Sequence, residues 1–385
     1  MKLLLRVSAA LVAVLIARAA TGAGEFPSAD LSNGLIKARL YLPDVEKGSY
    51  RGTRFDWSGI IGSLEYEGHT YFGQWYARHD PLVNDAITGP VQEFFTQTPG
   101  VGYDAANPGG PFVRLGAGVV MRPAERGAPG RRRVKIVNPG KWVIKRGPTW
   151  IEFTHRLDDA GGYEYVYTKR IALASRAPEM TISQEFRNTG TKVIEAEPYN
   201  HNFLVLDGQP SGPGLVVRFR FVPRAVAPLK GLVEIRGNEI HYLRELKAGE
   251  SVLTLLEGFG QDAGDYDIVV ENRNTGAGVR IVGDRPLSKV QFWSIRTTVC
   301  PEPFIKLRVE PGKTVQWSSR YRFFTTRQMQ TSHGPHVERA SRPATAAFLP
   351  PWTAHPRAPG GRNATVAGLE ARSTDGQDRC NREVY

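Results

Sequence analysis

From about Leu31 to Phe324 the chain is written in short runs of alternating apolar and polar residues, each ended by a cluster of Gly, Asn, Asp or Pro. The runs "LIKARLYL", "TWIEFTHRL", "YEYVYTKRIAL", "EMTISQEFRN", "LVVRFRFV", "YDIVVEN", "KVQFWSI" and "VQWSSRYRFF" carry this alternation, and "NTGTK", "NRNTGAG" and "EPGKT" punctuate it. In an extended chain successive side chains point to opposite faces, so a period of two builds a strand with one buried face. Val, Ile, Tyr, Phe and Trp are dense in these runs, and stretches with a period near 3.6 are scarce. So many strands at turn-punctuated spacing predict an all-β fold, a large antiparallel β-sandwich. No fixed-period repeat marks a propeller or solenoid. Residues 81–130, rich in Gly, Pro and Asn, read instead as a long functional loop region.

The ends of the chain read differently. Lys2 and Arg6 precede the apolar stretch Leu11–Ala17, and small residues follow as far as Ala23, which is the layout of an export leader over residues 1–23, with an uncleaved membrane anchor as the alternative. The expected domain is 24–327, and 328–385 reads as a low-complexity, mostly disordered tail rich in Pro, Ala, Gly and Arg. A periplasmic or secreted protein is expected, with no membrane contact once the leader is gone. Cys300 and Cys380 are the two cysteines, too few for a disulfide scaffold, and their pairing stays open. His333 and His336 in the tail read as a turn and not as a metal pair, and Asn363 lies in a glycosylation sequon. The net charge of +12 raises nucleic acid as a partner, but the arginines are dispersed, and Arg131–Arg133 reads as a solvated loop. No nucleic-acid partner is expected, and a monomer is.

Three stretches hold side chains with chemistry to offer. "YNHNF" sets His201 between Asn200 and Asn202 ahead of the apolar run Phe203–Leu206. Imidazole exchanges protons near neutrality, and the two amides could orient it or hold a polar ligand; a histidine satisfied in a strand-entry turn is the alternative. "CPEPF" sets Glu302 between Pro301 and Pro303 at the entrance of an apolar strand, with the backbone restricted on both sides, although a solvent-facing loop carboxylate fits equally. In "KVQFWSI" the alternation places Gln291 and Trp293 on one face, suited to a hydroxyl and a pyranose ring, or to an edge tryptophan under a loop. Glu93, Tyr103 and Arg114 are further binding candidates with no discriminating pattern.

Taken in order, these stretches resemble the aldose 1-epimerase, or galactose mutarotase-like, superfamily. "FRNTGTKVIEAEPYNHNF", "PLSKVQFWSI", "VCPEPF" and "LRVEPGKTVQWSSRYRF" match its boxes from about residue 160 to 324. The resemblance implies the family's supersandwich fold, a sugar or glycan substrate and no metal or other cofactor. It implies His201 as general acid, Glu302 as general base, Gln291 as a substrate contact and Asp267, in "DYDIVVEN", as a sugar-hydroxyl ligand. The family's early Asn-Arg pair and HGG segment are not found, and His69 and His79 stand in other contexts. An anomer-interconverting enzyme is the leading expectation. The alternatives are a non-catalytic carbohydrate-binding protein, or a polysaccharide lyase or hydrolase using Tyr103 and Glu93.

Overall fold

A computed structural model describes residues 26–124 and 134–326. The expected leader and tail, the triple arginine, Cys380, the tail histidines and the sequon fall outside these residues. Among the described residues regular structure is almost entirely strand, with one 3-10 turn at Ala263–Asp265, and the strand pairings are antiparallel. The all-β antiparallel architecture is the one the alternation predicts.

Two large sheets form the body. A ten-stranded sheet runs in the order Val233–Arg236, Glu239–Tyr242, Leu215–Phe219, Asp267–Asn272, Ala277–Gly283, Thr314–Thr325, Glu179–Asn188, Tyr165–Leu173, Trp150–Leu157 and Lys141–Gly147. A second sheet of seven strands is ordered Arg224–Ala225, Ser251–Glu257, Lys289–Ile295, Thr298–Phe304, Ile194–His201 and Leu307–Val309, with Val91–Phe95 also paired to Ile194–His201. Alternation decides what each face buries. In Tyr165–Leu173 every second side chain is buried, and Tyr165, Tyr167, Lys169 and Ile171 point inward. From the other sheet Val290, Phe292, Ile194 and Ala196 join the same core.

The predicted elements shift in three places. Residues 81–130 are not one loop: Val91–Phe95, Pro111–Arg114 and Gly118–Met121 are strands, too short for their period to stand out among glycines and prolines. The apolar run Phe203–Leu206 is not a strand; only Leu204 forms isolated bridges, to Phe72 and Val299. His201 therefore closes a strand rather than leading into one, and Glu302 lies inside Thr298–Phe304 rather than at its entrance.

A second, smaller aromatic core covers the outer face of the seven-stranded sheet. Tyr50, Phe55, Trp57, Trp75 and Tyr76, from segments between strands, pack there on Phe203, Trp293 and Cys300. Each large side chain removed from water contributes roughly 1.5–3 kcal/mol, enough to hold irregular backbone in place. Gly89 lies so close to this sheet that a Cβ would sit 2.7 Å from the His201 carbonyl oxygen.

A buried ion pair ties the cover to the ten-stranded sheet. Lys169 Nζ donates to Asp56 Oδ2 at 2.9 Å and to the Ser58 carbonyl at 3.0 Å, with both charged side chains essentially sealed. The Asp56 carboxylate also accepts from the Ser58 N–H at 2.9 Å and the Ser58 hydroxyl at 2.5 Å. Removing one partner of such a pair leaves an uncompensated charge in the interior. Lys169→Met is expected to cost about 3–5 kcal/mol in urea unfolding, with part of the loss recovered when Asp56→Asn is added.

Candidate active site

The pairing of Tyr199 with Phe304 and the bridge of Leu204 with Val299 set one register between two strands. That register places His201 directly opposite Glu302. Both side chains emerge on the face covered by the aromatic segments, and His201 Nε2 lies 3.3 Å from Glu302 Oε1. On the neighbouring strand Gln291 stands opposite Glu302 and donates its amide Nε2–H to Glu302 Oε2 at 2.8 Å. His201 Nδ1 and Glu302 Oε1 have no hydrogen-bond partner among the described residues.

The surroundings of the pair are aromatic. The His201 ring stacks on Phe203, with centroids 3.7 Å apart and an 8° interplanar angle, and meets Phe55 and Trp293 edge-on. Trp75 stacks on the far side of Phe203 at 4.9 Å. His201 is 4% exposed and Glu302 0%. Charge is poorly solvated here, and that decides the protonation of both groups. Burial pushes the Glu302 carboxyl up to about 8; Arg54, the Gln291 hydrogen bond and Lys289 pull it down, and Glu93 adds to the rise. Burial, reinforced by the Arg54 charge, holds the His201 imidazole well below its usual value. At neutral pH the pair carries one proton, on Glu302, beside a neutral imidazole.

A second polar group adjoins the pair. Arg54 donates Nε–H to Glu93 Oε2 at 2.7 Å and an Nη2–H to the Tyr199 hydroxyl at 3.0 Å, and its Nη1 also bonds Asp85. The Tyr199 hydroxyl donates to Glu93 Oε2 at 2.6 Å, across a strand pair in which Glu93 faces Tyr199. The Arg54 guanidinium lies 4.6 Å over the Phe55 ring. Farther along the rim, Lys289 Nζ sits between the rings of Phe95 and Phe304, 4.0 and 3.9 Å from their centroids, and 3.8 Å from Glu197. Arg54, Lys289 and Glu197 are the more exposed of these groups, so the approach from solvent runs past them.

The predicted residues separate into those brought together and those left apart. His201, Glu302, Gln291 and Trp293 share one cluster. Trp293 is not an open platform, being packed edge-on against Trp75 and His201. Asn200 and Asn202 alternate with His201 and point the other way, into the sandwich, so they cannot touch a ligand on the His201 face. Asn200 Nδ2 reaches Ser319 and Tyr321, and Asn202 lies between Pro301 and Tyr321. Asp267 also lies elsewhere: it sits on the ten-stranded sheet with its carboxylate held by Arg280, on the face opposite core-facing Ile268. Tyr103 packs on Phe112 beneath the Arg122 guanidinium. Glu93 does join the site, and Arg114 lies within electrostatic reach of Glu93 and Arg54. Arg54, Asp85 and Tyr199 were missed. Their signal was charge amid aromatics and glycine, as in "RGTRFDW", with no period to separate it from an ordinary loop.

No protein-family model and no curated protein sequence matches this chain. Among solved structures its backbone is similar to a galactose mutarotase related enzyme from Lactobacillus acidophilus, at 11% identity and TM-score 0.48, over 78% of this chain and 98% of that one. It is also similar to an aldose epimerase homologue from C. elegans (11% identity, TM-score 0.47, 77% and 98% covered). A third such structure is a galactose mutarotase-like protein from Lactobacillus casei (11%, 0.46, 77% and 100%).

The protonation of the pair has a consequence for stability. A carboxyl whose pKa is raised on folding contributes stability that is present below its unfolded value, 4.5, and lost as pH rises through its folded value, about 8. Between pH 6.5 and 8, above the ordinary histidine pKa, the wild type is expected to lose stability relative to Glu302→Gln. Thermal melts across that window test this, with a gap between the two proteins that widens as pH rises.

Proposed function

We propose that the protein interconverts the anomers of an aldose by acid–base ring opening at the His201–Glu302 pair. The observation that carries this reading is the juxtaposition itself: an imidazole and a carboxyl 3.3 Å apart, both held in their neutral forms inside an aromatic enclosure. Opening a cyclic hemiacetal needs one group to take the anomeric hydroxyl proton while another protonates the ring oxygen. The C1–O5 bond breaks as the C1 carbonyl forms, C1 turns about the C1–C2 bond, and closure on the other face returns both protons. A pair with one proton serves in both directions, because the acid of opening is the base of closure. In the resting state burial leaves the proton on Glu302, so Glu302 enters as the acid and neutral His201 as the base. The reverse assignment uses the same pair with the proton transferred.

Gln291 holds the carboxyl in orientation, and Arg54, Glu93 and Asp85 offer hydrogen bonds to sugar hydroxyls at the rim. The pair is sealed without substrate, so a sugar reaches it only when the cover opens at the rim. Aromatic walls then keep water out during proton transfer and strengthen each electrostatic contact. Export through residues 1–23, with action on periplasmic or extracellular sugars, belongs to the same proposal. The lyase reading is less well supported, since Tyr103 does not join the cluster.

Polarimetry and NMR exchange on freshly dissolved α-glucose, α-galactose and a small panel of other aldoses test the reading. The wild type is expected to speed the approach to anomeric equilibrium, and His201→Gln and Glu302→Gln each to lower the rate by about 10²–10⁴-fold. Sugar binding without exchange would make the protein a carbohydrate-binding module. The rate should trace a bell in pH: it falls on the alkaline side near about 8 as Glu302 loses its proton, and on the acid side as His201 gains one.

A further inference from the structure

The strands bearing the pair lack two of the backbone donors that would normally join them. In Thr298–Phe304 and its continuation, the backbone groups of the odd-numbered residues face the His201 strand. Val299 and Leu204 exchange N–H···O bonds of 3.2 and 3.1 Å, and Ile305 donates to the Pro198 carbonyl at 3.1 Å. The two positions between them are Pro301 and Pro303, which have no N–H to give. Both rungs flanking His201 and Glu302 therefore lose a donor, and only Tyr199 and Phe304 are paired in the ladder between the two strands. His201 and Glu302 occupy the kind of cross-strand position where facing side chains come closest. A gap in the ladder at that point would let them drift.

Side chains on the opposite face of the sheet bracket this gap. Asn202 Nδ2 donates to the Pro301 carbonyl at 2.7 Å, one residue before Glu302, and Asn202 Oδ1 accepts from the Tyr321 hydroxyl at 2.8 Å. The same hydroxyl accepts from Asn200 Nδ2 at 3.2 Å, one residue before His201. Asn200 Nδ2 also donates to Ser319 Oγ at 2.9 Å. Tyr321 and Ser319 belong to Thr314–Thr325 of the ten-stranded sheet, so one tyrosine ties the His201 strand to the other layer at two points, and Asn202 passes that hold to the Glu302 strand through the Pro301 carbonyl. All of these side chains are buried.

We propose that Asn202 and Tyr321 are positioning residues, a side-chain bracket that stands in for the backbone donors missing at Pro301 and Pro303 and sets the spacing of Glu302 from His201. The Asn-His-Asn and Pro-Glu-Pro patterns then have one origin. The prolines withdraw backbone donors beside the reacting pair, and the amides restore the hold from behind, out of reach of any ligand. The kinetic part of this inference rests on the acid–base reading above; the geometric part does not.

Tyr321→Phe removes one hydroxyl and keeps the ring in the core, and Asn202→Leu removes the amide at similar shape. Each variant is compared with the wild type by near-ultraviolet circular dichroism for folding, by nitrogen NMR of the His201 imidazole across pH, and by infrared titration of the Glu302 carboxyl. The bracket predicts folded variants in which both titrations move toward ordinary values. It also predicts exchange with kcat lowered by about 10²-fold and KM little changed, as for a misplacement of about 1 Å. Pro301→Ala in the Asn202→Leu background returns a backbone donor to the gap and is expected to recover part of both changes. Folded variants with wild-type titrations overturn the proposal, as does a loss confined to thermal stability that Pro301→Ala leaves uncorrected. If Asn202→Leu does not fold, Tyr321→Phe decides. Should the wild type show no anomer exchange, the acid–base reading fails and the two titrations still decide the bracket.

Discussion

The site depends on a carboxyl and an imidazole being held together where water cannot solvate either charge. In water a glutamate beside a histidine would be an ion pair near neutrality. In the aromatic enclosure of Phe55, Phe203 and Trp293 both charged forms are disfavoured, and the pair settles into a neutral state with the proton on Glu302. Desolvation outweighs the two nearby cations because Arg54 is already engaged by Glu93, Asp85 and Tyr199, and Lys289 stands out at the rim. A carboxyl raised to about 8 gives up its proton close to neutrality, where acid–base chemistry is most effective.

The rest of the molecule can be understood as support for that enclosure. Two antiparallel sheets supply a rigid platform, and the segments carrying Tyr50, Phe55, Trp57 and Trp75 supply the cover. The buried Lys169–Asp56 pair fastens the cover to the ten-stranded sheet one residue from Phe55. A buried ion pair contributes less net stability than packed hydrocarbon would, but its directional bonds fix where the neighbouring backbone goes. Here they fix the ring over His201 and the guanidinium beside Tyr199.

The fold was legible wherever the alternation was long. Glu179–Asn188, Tyr165–Leu173 and Thr314–Thr325 are plain in the text because many residues repeat the same two-residue rhythm. Short strands such as Val91–Phe95 were not, since a five-residue run among glycines and prolines carries too few repeats to be told from loop. Phe203–Leu206 misled for the opposite reason: it is apolar because it is buried, and burial without pairing makes no strand. Asn200 and Asn202 were visible as polar neighbours of His201, but the same period that exposes one residue to a face turns its neighbours from it. Asp267 matched a pattern and lies on the ten-stranded sheet, apart from the His201–Glu302 pair.

By itself the sequence determined that the chain forms an antiparallel β-sandwich and that His201 and Glu302 each sit in an unusual local setting. These are properties of spacing and of neighbours along the chain, and alternation and proline act locally. Tertiary structure alone decided that the two settings face each other, that Arg54, Glu93 and Tyr199 join them, and that the proton rests on Glu302. Register between strands a hundred residues apart is settled only when whole sheets close. Desolvation, in turn, is a sum over every group packed around a side chain, and most of those groups are distant in the sequence.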